Sequence, residues 1–61
     1  MDEFFVMLTC QSGMMTPLLN ETGELAVYPS FMGAADDANR NPLGRYFGYE
    51  VFKRGEGVHQ G

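Results

Sequence analysis

Cysteine, histidine and basic residues are scarce in this chain, and each shortage excludes a class of protein. The single cysteine, Cys10, rules out an internal disulfide, and one cysteine with one histidine, His59, cannot close a structural zinc site. Four Lys and Arg side chains stand against eight Asp and Glu, a formal charge of −4. That is too little positive charge for tight binding to nucleic-acid phosphates, which needs clustered basic side chains. No apolar run approaches the roughly 18–20 residues of a membrane span. Asp2 and Glu3 occupy the place where a signal peptide would be basic, and with an unpaired cysteine they predict a cytoplasmic protein. Length is short too. Sixty-one residues make one small domain, and conformational entropy of about 1.5 kcal/mol per ordered residue nearly cancels the burial such a chain achieves. With disulfide and metal excluded, oligomerisation or a partner protein is the remaining staple.

What the chain does have is an unbroken apolar run, Phe4-Phe5-Val6-Met7-Leu8, extended by Thr9-Cys10. A half-exposed strand alternates with polar residues, so this run reads as a strand apolar on both faces. Phe4, Val6, Leu8 and Cys10 share one face; Phe5, Met7 and Thr9 share the other. Both sets are apolar, so the pattern leaves open which of them is the core. The rest of the chain offers one convincing amphipathic helix, enough to cover one face. The other face needs a partner.

Glu3 to Cys10 is the first expected strand, followed by a polar break at Gln11-Ser12-Gly13. Thr16-Pro17-Leu18-Leu19 reads as a short second strand, which Pro17 confines to an edge or a bulge. Asn20-Glu21-Thr22-Gly23 has hairpin-turn chemistry, and Glu24 to Tyr28 reads as the returning strand, stopped by Pro29. Ser30 is an N-cap for a helix whose Phe31, Ala34, Ala35 and Ala38 fall on one face, with an i, i+4 pair from Asp36 to Arg40 on its surface. Gly33 weakens it by about 1 kcal/mol relative to alanine. Asn41-Pro42 opens a helical or 3₁₀ turn over Leu43 to Phe47, ended by Gly48 in a left-handed cap, before a last strand from Tyr49 to Lys53. The expected fold is therefore a two-layer α+β domain over 1–54. A three- or four-stranded, mostly antiparallel sheet carries one short helix on one face, in the order β-β-α-β. The Gly-rich stretch 55–61 reads as a flexible tail.

Candidate chemistry is sparse. His59 lies in the Gly-rich tail with no group positioned to orient it as a base. Cys10 has no cation nearby in sequence to lower its pKa, so it reads as a small apolar residue at a strand end. Glu21 and Glu24 lack the alternating oxygen ligands of a calcium loop. Gly44 and Gly48 are not followed by the Lys-Ser/Thr of a phosphate loop. No catalytic residue, cofactor site or metal site is expected, and the chain does not read as an enzyme. Methionines recur at protein-binding surfaces because they adapt their shape, though they fill cores equally well. Met14-Met15 lies in a loop after Gly13. Tyrosines such as Tyr46 supply the flat, partly polar surfaces enriched at binding hot spots, and they too are ordinary in a small sheet.

The segment Asn41-Pro42-Leu43-Gly44-Arg45-Tyr46-Phe47-Gly48-Tyr49-Glu50-Val51-Phe52 resembles the ending of some small proteins encoded by bacteriophages. So does Thr16-Pro17-Leu18-Leu19 followed by an acidic turn and by Glu24-Leu25-Ala26-Val27-Tyr28-Pro29-Ser30 opening an alanine-rich helix. The resemblance covers roughly Phe4 to Lys53 and carries no catalytic motif. It departs at Phe31-Met32-Gly33, apolar where such helices are often Glu-rich, which widens the apolar surface. Such proteins are typically host-takeover or anti-defence factors, so the resemblance implies binding to and inhibition of a bacterial host protein, for instance a CRISPR effector, in the host cytoplasm. The expected partner-binding residues are Phe5, Met7, Met14, Met15, Tyr46 and Phe52, with a homo-oligomer also expected and with no direct nucleic-acid or membrane contact. The alternative is a homo-oligomer that sequesters a nucleotide-like ligand in a subunit crevice, Arg40, Arg45 and Arg54 meeting its phosphates and the tyrosines stacking on it.

Overall fold

The N-terminal apolar run becomes the central strand, β1 (Glu3–Thr9), of a three-stranded sheet ordered β2-β1-β3. The computed structural model describes residues 2–54; the expected tail over 55–61, with His59, lies outside the described residues. β2 (Met15–Pro17) and β3 (Tyr49–Arg54) both run antiparallel to β1, one on each side. The β1–β2 turn is tied by Cys10, whose N–H donates to the Met14 carbonyl at 2.7 Å and whose carbonyl accepts from Gly13 N–H. β2 is an edge strand, as Pro17 requires, and ends at that proline.

The returning strand expected over Glu24–Tyr28 does not form as a ladder. Instead the segment changes partners part-way along. Leu25 bridges Leu19, and Ala26 N–H donates to the Leu18 carbonyl; then Tyr28 crosses to β1 and exchanges both backbone hydrogen bonds with Phe4 at 2.8 Å. The turn before it is held by Asn20, whose Oδ1 accepts from Thr22 N–H, Thr22 Oγ1 and Glu24 N–H within 3.0 Å. Beyond Pro17 the edge of β1 is thus occupied by Leu18, through Val6, and by Tyr28, through Phe4. Two partners share the length that one strand would need.

Helix α1 (Phe31–Arg40) begins where its cap dictates: Ser30 Oγ accepts from Gly33 N–H at 3.1 Å. The turn expected after it is a second helix, α2 (Pro42–Phe47), so two helices rather than one cover the sheet. Asn41 both ends α1 and caps α2, its Oδ1 accepting from Leu43 N–H at 2.9 Å with Pro42 in the first helical position. Gly48 stops α2 at φ 102°, ψ 169°, a positive φ but extended in ψ, unlike the left-handed cap expected.

Both helices lie on one face of the sheet and decide which residues are core. Val6, Leu8, Ala34 and Ala38 are buried together, with Phe4, Leu18, Tyr28, Leu43, Tyr49 and Val51 packed around them. The small alanines let α1 approach the strands closely. Gly44 does the same for α2: a Cβ there would run into the Ala38 carbonyl and lie 3.3 Å from a Leu8 methyl. The helical layer covers Val6 and Leu8, while Phe31, expected on its packing face, is 54% exposed, and Met32 and Phe47 also stay exposed. Phe5 and Met7 alternate with Val6 and Leu8 onto the opposite face, where both are half-buried.

Candidate functional site

The helix-free face of the sheet follows from strand register. Phe5 lies opposite Phe52, Met7 lies opposite Pro17 on one side and Glu50 on the other, and Thr9 lies opposite Met15. Directly opposed residues of an antiparallel ladder share a face, so Phe5, Met7, Met15, Pro17 and Phe52 form one continuous apolar surface. The rings of Phe5 and Phe52 stack with centroids 5.4 Å apart and planes 18° from parallel. Phe52 is 40% exposed and Met15 43%. At one end of this face Glu3 and Arg54 pair across the strands, Arg54 Nε lying 3.1 Å from Glu3 Oε1. Glu50 marks its β3 side. An apolar centre with a charged rim is the pattern of a protein-binding surface.

Of the six expected partner-binding residues, the structure brings Phe5, Met7, Met15 and Phe52 together on this face. Met14 is 69% exposed in the turn at its end. Tyr46 is 73% exposed on α2, in the helical layer on the other side of the sheet, and does not join the group. Pro17 belongs to the face but was not expected there. Its signal is the β1–β2 register, which a three-residue strand alone does not specify.

A concavity of about 750 Å³ opens between the Leu18–Tyr28 segment and the end of α1. Leu18, Leu19 and Val27 form its apolar side; Tyr28, Asp37 and Arg40 form its polar side. Tyr28 Oη donates to Asp37 Oδ2 at 2.8 Å, and Arg40 lies 3.6 Å from Asp37 and 3.2 Å from Asp36. Burial, then the hydrogen bond to Asp37 and its negative charge, push the Tyr28 hydroxyl up to about 12. It therefore stays protonated near neutrality and ties the crossing segment to α1. This network depends on the segment leaving Leu18 and Leu19 so that Tyr28 pairs with β1, which nothing in the local sequence signals.

The three arginines weighed as phosphate contacts are dispersed. Arg40 is held by Asp36 and Asp37 near the end of α1, Arg45 lies on α2, and Arg54 is held by Glu3 at the end of β3. Among the described residues no group of three or more His, Cys, Asp or Glu is placed to hold a metal ion. No described helix is long and apolar enough to cross a membrane. The chain matches no family model, no curated protein and no solved structure.

Proposed function

We propose that this chain is a non-enzymatic binding module of phage or mobile-element kind. It inhibits a bacterial host or defence protein, such as a CRISPR effector, in the bacterial cytoplasm by occupying its surface. One observation supports the reading above the others: five apolar residues share the sheet face opposite the helices, with Met15, Pro17 and Phe52 exposed and Phe5 and Met7 half-buried. Covering such a face releases about 25 cal/mol per Å² of apolar surface buried, and the stacked Phe5–Phe52 pair offers a rigid aromatic anchor of the kind that dominates binding energy. The adaptable side chains of Met7 and Met15 beside it suit an irregular partner surface.

The test is affinity capture from bacterial lysates with the immobilised chain, followed by assay of whatever is recovered. The expected result is one protein held at fixed stoichiometry, whose own activity falls as the chain is added. Recovery of no stoichiometric protein across repeated captures, or of one whose activity is unaffected, refutes the proposal.

A further inference from the structure

The two sheet edges differ. β2 is three residues long, ends in Pro17 and shares its side of β1 with Leu18 and Tyr28, so little of it is available for pairing. β3 is six residues long, without proline, and its outer side carries no strand among the described residues. Hydrogen bonds fix which way its backbone points. The even residues of β1 face the β2 side, where Val6 O accepts from Leu18 and Phe4 exchanges with Tyr28; Thr9 N–H reaches across to Gly48 O at 3.0 Å on the β3 side. Residues 3, 5, 7 and 9 therefore bond toward β3, using its even residues. Tyr49, Val51 and Lys53 consequently turn their N–H and C=O outward.

Charges ordinarily protect such an edge. Here they complement a second copy. With the copy antiparallel about a two-fold axis normal to the sheet, only registers that keep both helical layers on one side are allowed, so even residues meet even residues. Centring the axis on Phe52 sets the two Phe52 rings together, places Glu50 opposite the copy's Arg54, twice, and pairs the backbone of Val51 with that of the copy's Lys53. These positions are the close, non-hydrogen-bonded pairs of the new ladder, where side chains interact most. Among the described residues Glu50 has no ion-pair partner, and Arg54 meets Glu3 through Nε, leaving the N–H groups of its terminal nitrogens to donate to a second carboxylate. Moving the axis to Val51 instead sets Glu50 against Phe52, and moving it to Glu50 opposes like charges.

We infer that the chain self-associates through the outer edge of β3, Phe52 on the two-fold axis and Glu50 paired with the copy's Arg54, into a dimer with one six-stranded sheet. Its helix-free face carries the aromatic row Phe5, Phe52 and their two symmetry mates. The association leaves that face exposed, and it stands independently of the inhibitory role proposed above.

Sedimentation at about 100 μM, where even small interfaces of low affinity are populated, should give a dimer for the wild type. Glu50→Arg alone opposes two cations and Arg54→Glu alone opposes two carboxylates, so each variant should sediment as a monomer. Mixed together they should dimerise, because both pairs are complementary only in the heterodimer. Circular dichroism verifies that each variant is folded. An independent measure is Phe52→Cys in a Cys10→Ser background, which should cross-link on oxidation, as paired Cα atoms across such an axis lie within disulfide reach. Glu50→Cys should not, its copies being about 13 Å apart along the strands. A monomeric wild type, a mixture that stays monomeric, or equal cross-linking of the two cysteine variants overturns the inference.

Discussion

Val6 and Met7 are neighbours on β1 and face opposite ways. Val6 has no exposed surface beneath the helical layer, whereas Met7 stands on the helix-free face between Pro17 and Glu50. One strand thus carries a core and an outer apolar surface on alternate residues.

The same substitution at these two positions should therefore give opposite results. Val6→Lys buries an unpaired cation among Leu8, Ala34 and Ala38, at more than about 4 kcal/mol. A domain this small holds only about 3–5 kcal/mol in reserve, so Val6→Lys should be unfolded by circular dichroism. Met7→Lys meets Glu50 across the strands and should cost less than about 1 kcal/mol in a urea titration. A folded Val6→Lys would place the core elsewhere.

Gly44 is predicted to be irreplaceable for a packing reason. Gly44→Ala improves helix propensity by about 1 kcal/mol but drives a methyl into the Ala38 carbonyl. Overpacking should win, with a net loss of about 2 kcal/mol in chemical denaturation. Stabilisation by Gly44→Ala would show that α2 does not rest on the end of α1.

Tyr28 gives a pH signature. Its hydroxyl is raised from 10.0 to about 12 by burial and by Asp37. Above pH 10 the unfolded chain releases this proton while the folded chain retains it, so stability present below pH 10 should be lost as pH rises toward 12. Thermal melts across that window should show a steeper decline for the wild type than for Tyr28→Phe, which has no proton to release there. Parallel declines would contradict the Tyr28–Asp37 contact.

Much of this fold is legible in the chain wherever the determinant is local. Ser30 and Asn41-Pro42 mark the helix boundaries because caps act within three residues, and Pro17 marks an edge strand because it removes one backbone donor. Long-range determinants are not legible. Tyr28 pairs with Phe4 across the chain, Gly44 is dictated by a carbonyl on another helix, and the choice between two apolar faces of β1 depends on where Ala34 and Ala38 settle. The candidate site shows the same division. Strand alternation groups Phe5 with Met7, and register adds Met15 and Phe52, but Tyr46 joins them only if composition alone is considered.

Capture from a bacterial lysate with wild-type and Met7→Lys baits side by side tests the binding face most directly, since Met7 stands on that face and outside the core cluster. The wild type should retain a stoichiometric partner, and the equally folded variant should lose it. Identical recovery by both baits would mean that the bare side of the sheet is not where this protein meets its target.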